Sequence, residues 1–81
     1  MPDDLLSRID INTQIMLGKP VIRGTRVTVE ILLEKIAAGC SIEEILDEYP
    51  RLTRDDVLAA VAYAREAIST DEIIPRLQSG R

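Results

Sequence analysis

The first predicted helix follows a regular pattern of apolar and polar positions in the middle of the chain. Thr28 is a residue type that often caps the start of a helix, and Gly39 is typical of the residue just after a helix end. Between them, apolar residues recur three and four positions apart, as on one face of an α-helix. The residues of this face are Val29, Leu32, Leu33, Ile36 and Ala37.

Two further helices are predicted by patterns of helix capping. Ser41 and Glu44 have the S-x-x-E spacing of a capping box, so a second helix is expected to begin there and to end at the next proline. Thr53 and Asp56 repeat this spacing with aspartate in the last position. They predict the start of a third helix over about residues 53–68.

The third predicted helix is apolar around much of its circumference. A surface helix of a monomer needs one apolar stripe, so this wider face predicts close packing against another helix of the core or of a second copy. We therefore expect a homodimer. The residues assigned to this core or dimer face are Val57, Leu58, Val61, Ala64 and Ile68.

A short β-ribbon is predicted before the helices. Residues 8–12 alternate polar and apolar, as in a half-buried strand. Residues 21–22 and 26–27 could form two more short strands joined by a turn at Gly24. The predicted fold is mainly α, with this ribbon followed by a three-helix bundle of helix-turn-helix character. Residues 1–68 would form one domain and residues 69–81 a C-terminal tail.

Composition narrows the classes of function. The chain has 81 residues, a net charge of −4 at pH 7, no histidine and one cysteine, Cys40. It therefore lacks a histidine-based nucleophile triad and a Cys/His zinc set, and we expect a binding protein without cofactor or metal rather than an enzyme. A single cysteine suits a reducing cytoplasm. The longest apolar run, residues 57–64, is shorter than the ~20 residues that a membrane span needs.

Two groups of residues are candidates for contact with duplex DNA. The group on the predicted ribbon consists of Lys19, Arg23, Thr25 and Arg26. The group at the start of the third helix, which would be the reading helix of a helix-turn-helix, consists of Arg51, Thr53 and Arg54. Against DNA reading by this helix, Asp55 and Asp56 would repel phosphates. The ribbon cations could instead pair with the acidic residues of segment 27–49, so both interpretations stay open.

The motifs in residues 18–53 resemble a known family. The run GKPVIRGTRVTVE over residues 18–30, followed by AAGCSIEEILDEYP and LT, is similar to the small prokaryotic family catalogued as domain-of-unknown-function family 433. The similarity covers roughly residues 9–68. It implies a winged-helix or homeodomain-like fold with an N-terminal β-ribbon. It also implies an antitoxin-like protein, comparable to VapB-type antitoxins, which are often encoded beside a PIN-like ribonuclease.

The resemblance leads to three hypotheses of function. The first is an antitoxin that binds a PIN-like ribonuclease and could also bind its own operator DNA. Arginines of the tail could pair with the carboxylates that hold Mg²⁺ in such a nuclease, although an ordinary terminal tail is the alternative. The candidate contacts in the tail are Arg76, Arg81, Ile73, Ile74 and Leu77. The other hypotheses are a stand-alone helix-turn-helix regulator and a homodimeric structural module.

Overall fold

The computed structural model describes residues 4–71, which contain two short strands and three α-helices. A 3₁₀ turn, Leu5–Arg8, leads into strand β1, Ile9–Asp10, and a second 3₁₀ turn, Met16–Gly18, leads into strand β2, Val21–Ile22. The α-helices are α1 (Val29–Ala37), α2 (Ile42–Glu48) and α3 (Arg54–Asp71). The mainly helical fold with an N-terminal two-stranded sheet is confirmed. Among the described helices, none is long and apolar enough to cross a membrane.

The two strands pair antiparallel. Ile9 lies opposite Ile22 and Asp10 lies opposite Val21. Both residues of β2 are buried, at 1% and 2% exposure, whereas β1 is half-buried. The more apolar strand therefore lies in the core, and the alternating strand lies at its edge, where Ile9 packs against the core.

The ribbon differs from its predicted form at residues 26–27. The chain turns back at Gly24 (φ +80°), and the Ile22 amide donates to the Val27 carbonyl at 2.9 Å, but Arg26 and Val27 form no strand. The reason is that Thr28 already caps α1. The helix begins at once, and too little extended chain remains to form the second strand of a hairpin.

Helix α1 is capped at both ends, as the sequence predicts. The Thr28 hydroxyl oxygen accepts a hydrogen bond from the Ile31 amide at 3.1 Å. At the other end Gly39 adopts φ +97°, and the Cys40 amide donates to the Lys35 carbonyl at 3.0 Å. This is the Schellman arrangement, which satisfies carbonyls that the helix end would leave unpaired.

Both predicted capping boxes are present. The Ser41 hydroxyl oxygen accepts from the Glu44 amide at 3.1 Å, and the Glu44 carboxylate accepts from the Ser41 amide at 2.8 Å. The Thr53 and Asp56 pair makes the same two bonds, at 3.2 and 2.9 Å. Helix α3 then continues to Asp71, three residues beyond the predicted end.

The core lies where β2, α1, α2 and the first half of α3 meet. It contains no aromatic side chain, and the half-buried tyrosines pack at its edge. Two adjacent alanines of α3 are fully buried, which lets the neighbouring elements approach that helix closely. The buried apolar residues are Val21, Ile22, Val29, Leu32, Ile45, Leu52, Val57, Ala59 and Ala60.

The predicted apolar face of α3 is divided between the core and the surface. Val57 is buried in the core, while Leu58 and Ala64 are half-buried. Val61 and Ile68 are exposed, at 43% and 71%. The early turns of α3 are thus covered by the rest of the domain, and apolar side chains further along the helix remain at the surface.

The second 3₁₀ turn has an unusual backbone. Met16 and Leu17 have φ angles of +51° and +58°, in the left-handed region that side chains disfavour, and Gly18 follows at +84°. Each such non-glycine residue costs about 1–2 kcal/mol. Leu17 is nevertheless 93% exposed, so its side chain gives the monomer little packing in return.

Candidate nucleic-acid interface

Two of the candidate cations are held in ion pairs. The Lys19 ammonium lies 3.0 Å from a carboxylate oxygen of Glu30, and the Arg23 guanidinium lies 3.3 Å from Asp10. All four side chains are well exposed, so each pair contributes at most about 1 kcal/mol. These contacts are the local pairing that the sequence left open as an alternative to DNA binding.

Three other arginines differ from these. Arg26, Arg51 and Arg54 are exposed, and within residues 4–71 none of them forms an ion pair. They are the candidates whose charge is not already matched by a carboxylate of the described chain. A polyanion would find its complementary charge at these side chains.

Arg26 and Arg51 lie at the same cleft, although they come from separate segments of the chain. The loop before α1 supplies Arg26, and the turn between α2 and α3 supplies Arg51. We call this site the arginine cleft; it is open to solvent and has a volume of about 500 Å³. Its lining residues are Asp10, Ile15, Val21, Gly24, Thr25, Arg26, Val27 and Arg51. The cleft thus brings together Arg26 of the ribbon group and Arg51 of the third-helix group, which the sequence offered as alternative DNA contacts.

The two candidate threonines stabilise the local backbone. The Thr25 hydroxyl donates to the Ile22 carbonyl at 2.8 Å and accepts from the Val27 amide at 3.0 Å. The Thr53 hydroxyl oxygen accepts from the Asp56 amide in the capping box of α3. These bonds shape the loop that carries Arg26 and the helix start that carries Arg54, so the threonines position the arginines.

Arg8 contacts both acidic residues of the first turn of α3. Its guanidinium lies 3.1 Å from the Asp56 carboxylate and 3.7 Å from the Asp55 carboxylate. The negative charge that argued against DNA near this helix is therefore partly compensated. Sequence reasoning missed this role because Arg8 and Asp56 are 48 positions apart and no local pattern links them.

A second charge contact joins α1 to the end of α2. The Lys35 ammonium lies 2.8 Å from the Glu48 carboxylate and 5.8 Å from the centre of the Tyr49 ring. The hydrogen bond to Glu48 raises the pKa of Lys35 above its usual 10.5, and partial burial opposes this shift. The contact links the two helices close to the turn that carries Arg51.

The remaining site features are the predicted toxin contacts and any cluster of metal-binding side chains. The toxin-binding candidates Arg76, Arg81, Ile73, Ile74 and Leu77 lie outside the described residues. In residues 4–71, no set of three or more acidic or cysteine side chains is arranged to hold a metal ion.

Comparison with known proteins identifies the family. The family model described as "Protein of unknown function (DUF433)" matches residues 9–64. The chain belongs to this family. The match includes the arginine cleft and all three helix starts of this DUF433 protein, and it begins one residue after Arg8.

Two relatives show how far the similarity extends. The crystal structure of a DUF433 member from Anabaena variabilis has a TM-score of 0.72 and 32% identity, over 78% of this chain and 62% of that one. The uncharacterized protein y4eO of Sinorhizobium fredii is 40% identical over 65 residues, in an alignment that covers 76% of this chain and 29% of that protein. This chain therefore spans less than two thirds of the length of either relative.

Proposed function

We propose that this DUF433 protein is a cytoplasmic, antitoxin-like DNA-binding protein that acts by binding rather than by catalysis. Residues 4–71 would bind duplex DNA through the arginine cleft and Arg54. The observation that carries the proposal is that three exposed arginines have no carboxylate partner in residues 4–71, and that two of them converge from different segments.

The three arginines would have different tasks on the duplex. Arg54 is the first residue of α3, the second helix of the α2–turn–α3 unit, where side chains of a reading helix contact base edges. Arg26 lies in the loop before α1 and Arg51 in the turn before α3, and both would contact phosphates from the arginine cleft, which fixes the register of the protein on DNA. Arg8 supports this arrangement because it compensates the acidic first turn of α3.

The net charge of −4 does not oppose the proposal, since the cleft lining contains one carboxylate, Asp10, which is paired with Arg23. The exposed acids of α2, Glu43, Glu44, Asp47 and Glu48, belong to a helix that contributes no residue to the cleft lining. An acidic protein with a local basic site binds DNA weakly and with a shallow salt dependence. Two arginine–phosphate contacts, from Arg26 and Arg51, would give a slope of log K against log [salt] of about −2.

The test is fluorescence anisotropy on a labelled duplex from the promoter of this gene, over a series of salt concentrations. We expect R26A and R51A to weaken binding and each to reduce the salt slope by about 1. R54A should cost about 1–3 kcal/mol and should relax sequence preference if Arg54 reads a base. The matched control is R65A, which removes an exposed cation of α3 that is already paired with Glu66 and does not line the cleft.

The results separate specific binding at the cleft from general charge effects. If R65A weakens binding as much as R26A and R51A, the cleft is not the binding site. If wild-type protein fails to bind the duplex at low salt, the DNA-binding part of the proposal is wrong.

The antitoxin part of the proposal is supported by the resemblance to domain-of-unknown-function family 433, which implies an antitoxin-like protein comparable to VapB-type antitoxins, and by the chemistry of the tail. We propose that Arg76 and Arg81 pair with the carboxylates of a PIN-like ribonuclease, with Ile73, Ile74 and Leu77 giving apolar contact. The test is coexpression with the product of the adjacent gene, followed by measurement of the complex mass by light scattering. A complex formed by wild-type protein and lost in R76A/R81A would support this role, and absence of a complex would refute it.

A further inference from the structure

An apolar groove lies between α1 and the second half of α3, on a surface separate from the arginine cleft. It is an open groove of about 450 Å³, and its walls are almost entirely carbon. Ile68, at 71% exposure, leaves much of this apolar surface in contact with solvent. We call it the α1/α3 groove, and its lining residues are Lys19, Pro20, Val29, Glu30, Leu33, Tyr63, Ala64, Ala67 and Ile68.

Leu17 protrudes close to this groove. It is 93% exposed, and both it and Met16 have positive φ angles that place the side chain on a disfavoured backbone. Leu17 lies at a second cleft that shares Lys19 and Glu30 with the α1/α3 groove. One copy of the protein therefore carries an apolar projection and an apolar groove on either side of the same two charged residues.

The two charged residues at the edge of the groove can pair with the same two residues of a second copy. Lys19 and Glu30 form an ion pair of 3.0 Å, so a cation and an anion lie next to each other at the edge of the groove. If a second copy approaches about a two-fold axis, Lys19 of each copy can face Glu30 of the other. The four charges then alternate, and no like charges meet.

We propose that the α1/α3 groove is a dimer interface in which Leu17 of one copy inserts into the groove of a second copy. A two-fold contact uses the same surface on both copies, so a surface that carries both projection and groove can satisfy both at once. An unrelated partner would need only one of the two features. The self-complementary charges also favour a second copy over a partner of one charge sign.

The proposed dimer interface does not overlap the proposed DNA-binding surface. The arginine cleft and the α1/α3 groove share no lining residue. A two-fold dimer would present two arginine clefts, as in dimeric helix-turn-helix proteins that bind two half-sites of a palindromic operator. The dimer itself does not depend on DNA binding, so the two proposals fail independently.

The first test is sedimentation equilibrium of the full chain over about 10–500 µM, a range that detects dimers of micromolar affinity. Wild-type protein should dimerise, and Leu17→Asn should raise the dimer dissociation constant by about tenfold or more. Asparagine tolerates positive φ, so this variant should fold at least as well as the wild type. Ala67→Asp, which places a charge in the groove, should have the same effect on the dimer.

Ile11→Asn is the matched control for loss of an exposed apolar side chain. Ile11 is 59% exposed and lines neither the α1/α3 groove nor the cleft beside Leu17. This variant should dimerise like the wild type. If Leu17→Asn and Ile11→Asn have equal effects, or if the wild type is monomeric throughout, the proposal is wrong and the groove binds residues 72–81 or a different protein.

A charge exchange tests the two-fold arrangement directly. Lys19→Glu places two acids at the boundary of each copy, and Glu30→Lys places two lysines there, so each variant alone should be monomeric. In a mixture, the acidic copy faces the basic copy, and a heterodimer should form with the mass of two chains. If the mixture stays monomeric while the wild type dimerises, Lys19 and Glu30 do not face each other across the interface.

Discussion

The carboxylate of Asp56 joins the N-terminal turn to the start of α3, and its removal gives the sharpest test of what stabilises the fold. One oxygen accepts from the Arg8 guanidinium at 3.1 Å, and the other accepts from the Thr53 amide at 2.9 Å. The Asp56 side chain is only 12% exposed. Asp56→Ala would therefore remove the acceptor of the Thr53 amide and one acceptor of the Arg8 guanidinium, in a place that water reaches poorly.

The expected loss in free energy of unfolding is the sum of the contributions of these two contacts. Loss of a helix-capping bond costs about 1 kcal/mol, and loss of a hydrogen bond between charged groups costs about 1.5–3 kcal/mol. Because Arg8 is 33% exposed and can be partly rehydrated, we expect a total of about 2–4 kcal/mol. A domain of this size has only about 5–10 kcal/mol of stability, so Asp56→Ala should lower the melting temperature by about 10 °C or more.

The assay is urea unfolding followed by circular dichroism, with Asp55→Asn as the matched control. Asp55 lies 3.7 Å from the same guanidinium but is 51% exposed, so its loss should cost less than about 0.5 kcal/mol. Asp56→Asn keeps an acceptor for the cap while removing the attraction to Arg8, and it should fall between the other two. If Asp56→Ala is no more destabilising than Asp55→Asn, the Arg8–Asp56 contact does not stabilise the fold.

Three further predictions concern the helices. Because the pKa of Lys35 is raised in the folded protein, its contact with Glu48 stabilises the protein fully below pH 10.5, and this contribution is lost as the pH rises through the higher folded value. The difference in free energy of unfolding between the wild type and Glu48→Gln should therefore shrink above pH 10.5. Urea unfolding over a series of pH values measures this difference, and a constant difference would refute the prediction. Gly39→Ala should destabilise by about 1 kcal/mol or more from backbone strain alone, because an added methyl group at φ +97° meets no atom within 4 Å. Leu32→Ala, at a side chain that is 0% exposed, should cost about 2–5 kcal/mol in urea unfolding, and a cost below about 1 kcal/mol would show that the core closes around the gap.

The helix starts could be read from the sequence because their signals are local. The Ser41–Glu44 and Thr53–Asp56 boxes each lie within four residues, and the bonds they predict are the ones the structure contains. The partner of β2 was harder to predict, since pairing depends on distant residues and on how much extended chain α1 leaves free. The same holds for the Arg8 contact, which no periodicity could predict.

The candidate site was predictable in residue type but not in arrangement. Charge and position indicated Lys19 and Arg26 equally, because a sequence does not show which cations already have a carboxylate partner. The structure distinguishes them: Lys19 pairs with Glu30, whereas Arg26 lies at the arginine cleft beside Arg51. Sequence reasoning treated the ribbon and the third helix as competing sites, and only the folded chain shows that their arginines are neighbours.

The separation of Arg8 from Asp56 also affects the order in which a growing chain can fold. The ribosome releases the N-terminus first, yet Arg8 must wait for a residue 48 positions later before its guanidinium can dock. The helices, with their local caps, can form earlier, so the segment that carries Arg8, although synthesised before the helices, should be fixed after them. Pulsed hydrogen exchange during refolding should therefore protect the amides of α1 before that of Arg23, which bonds the Arg8 carbonyl; equal protection times would contradict this order.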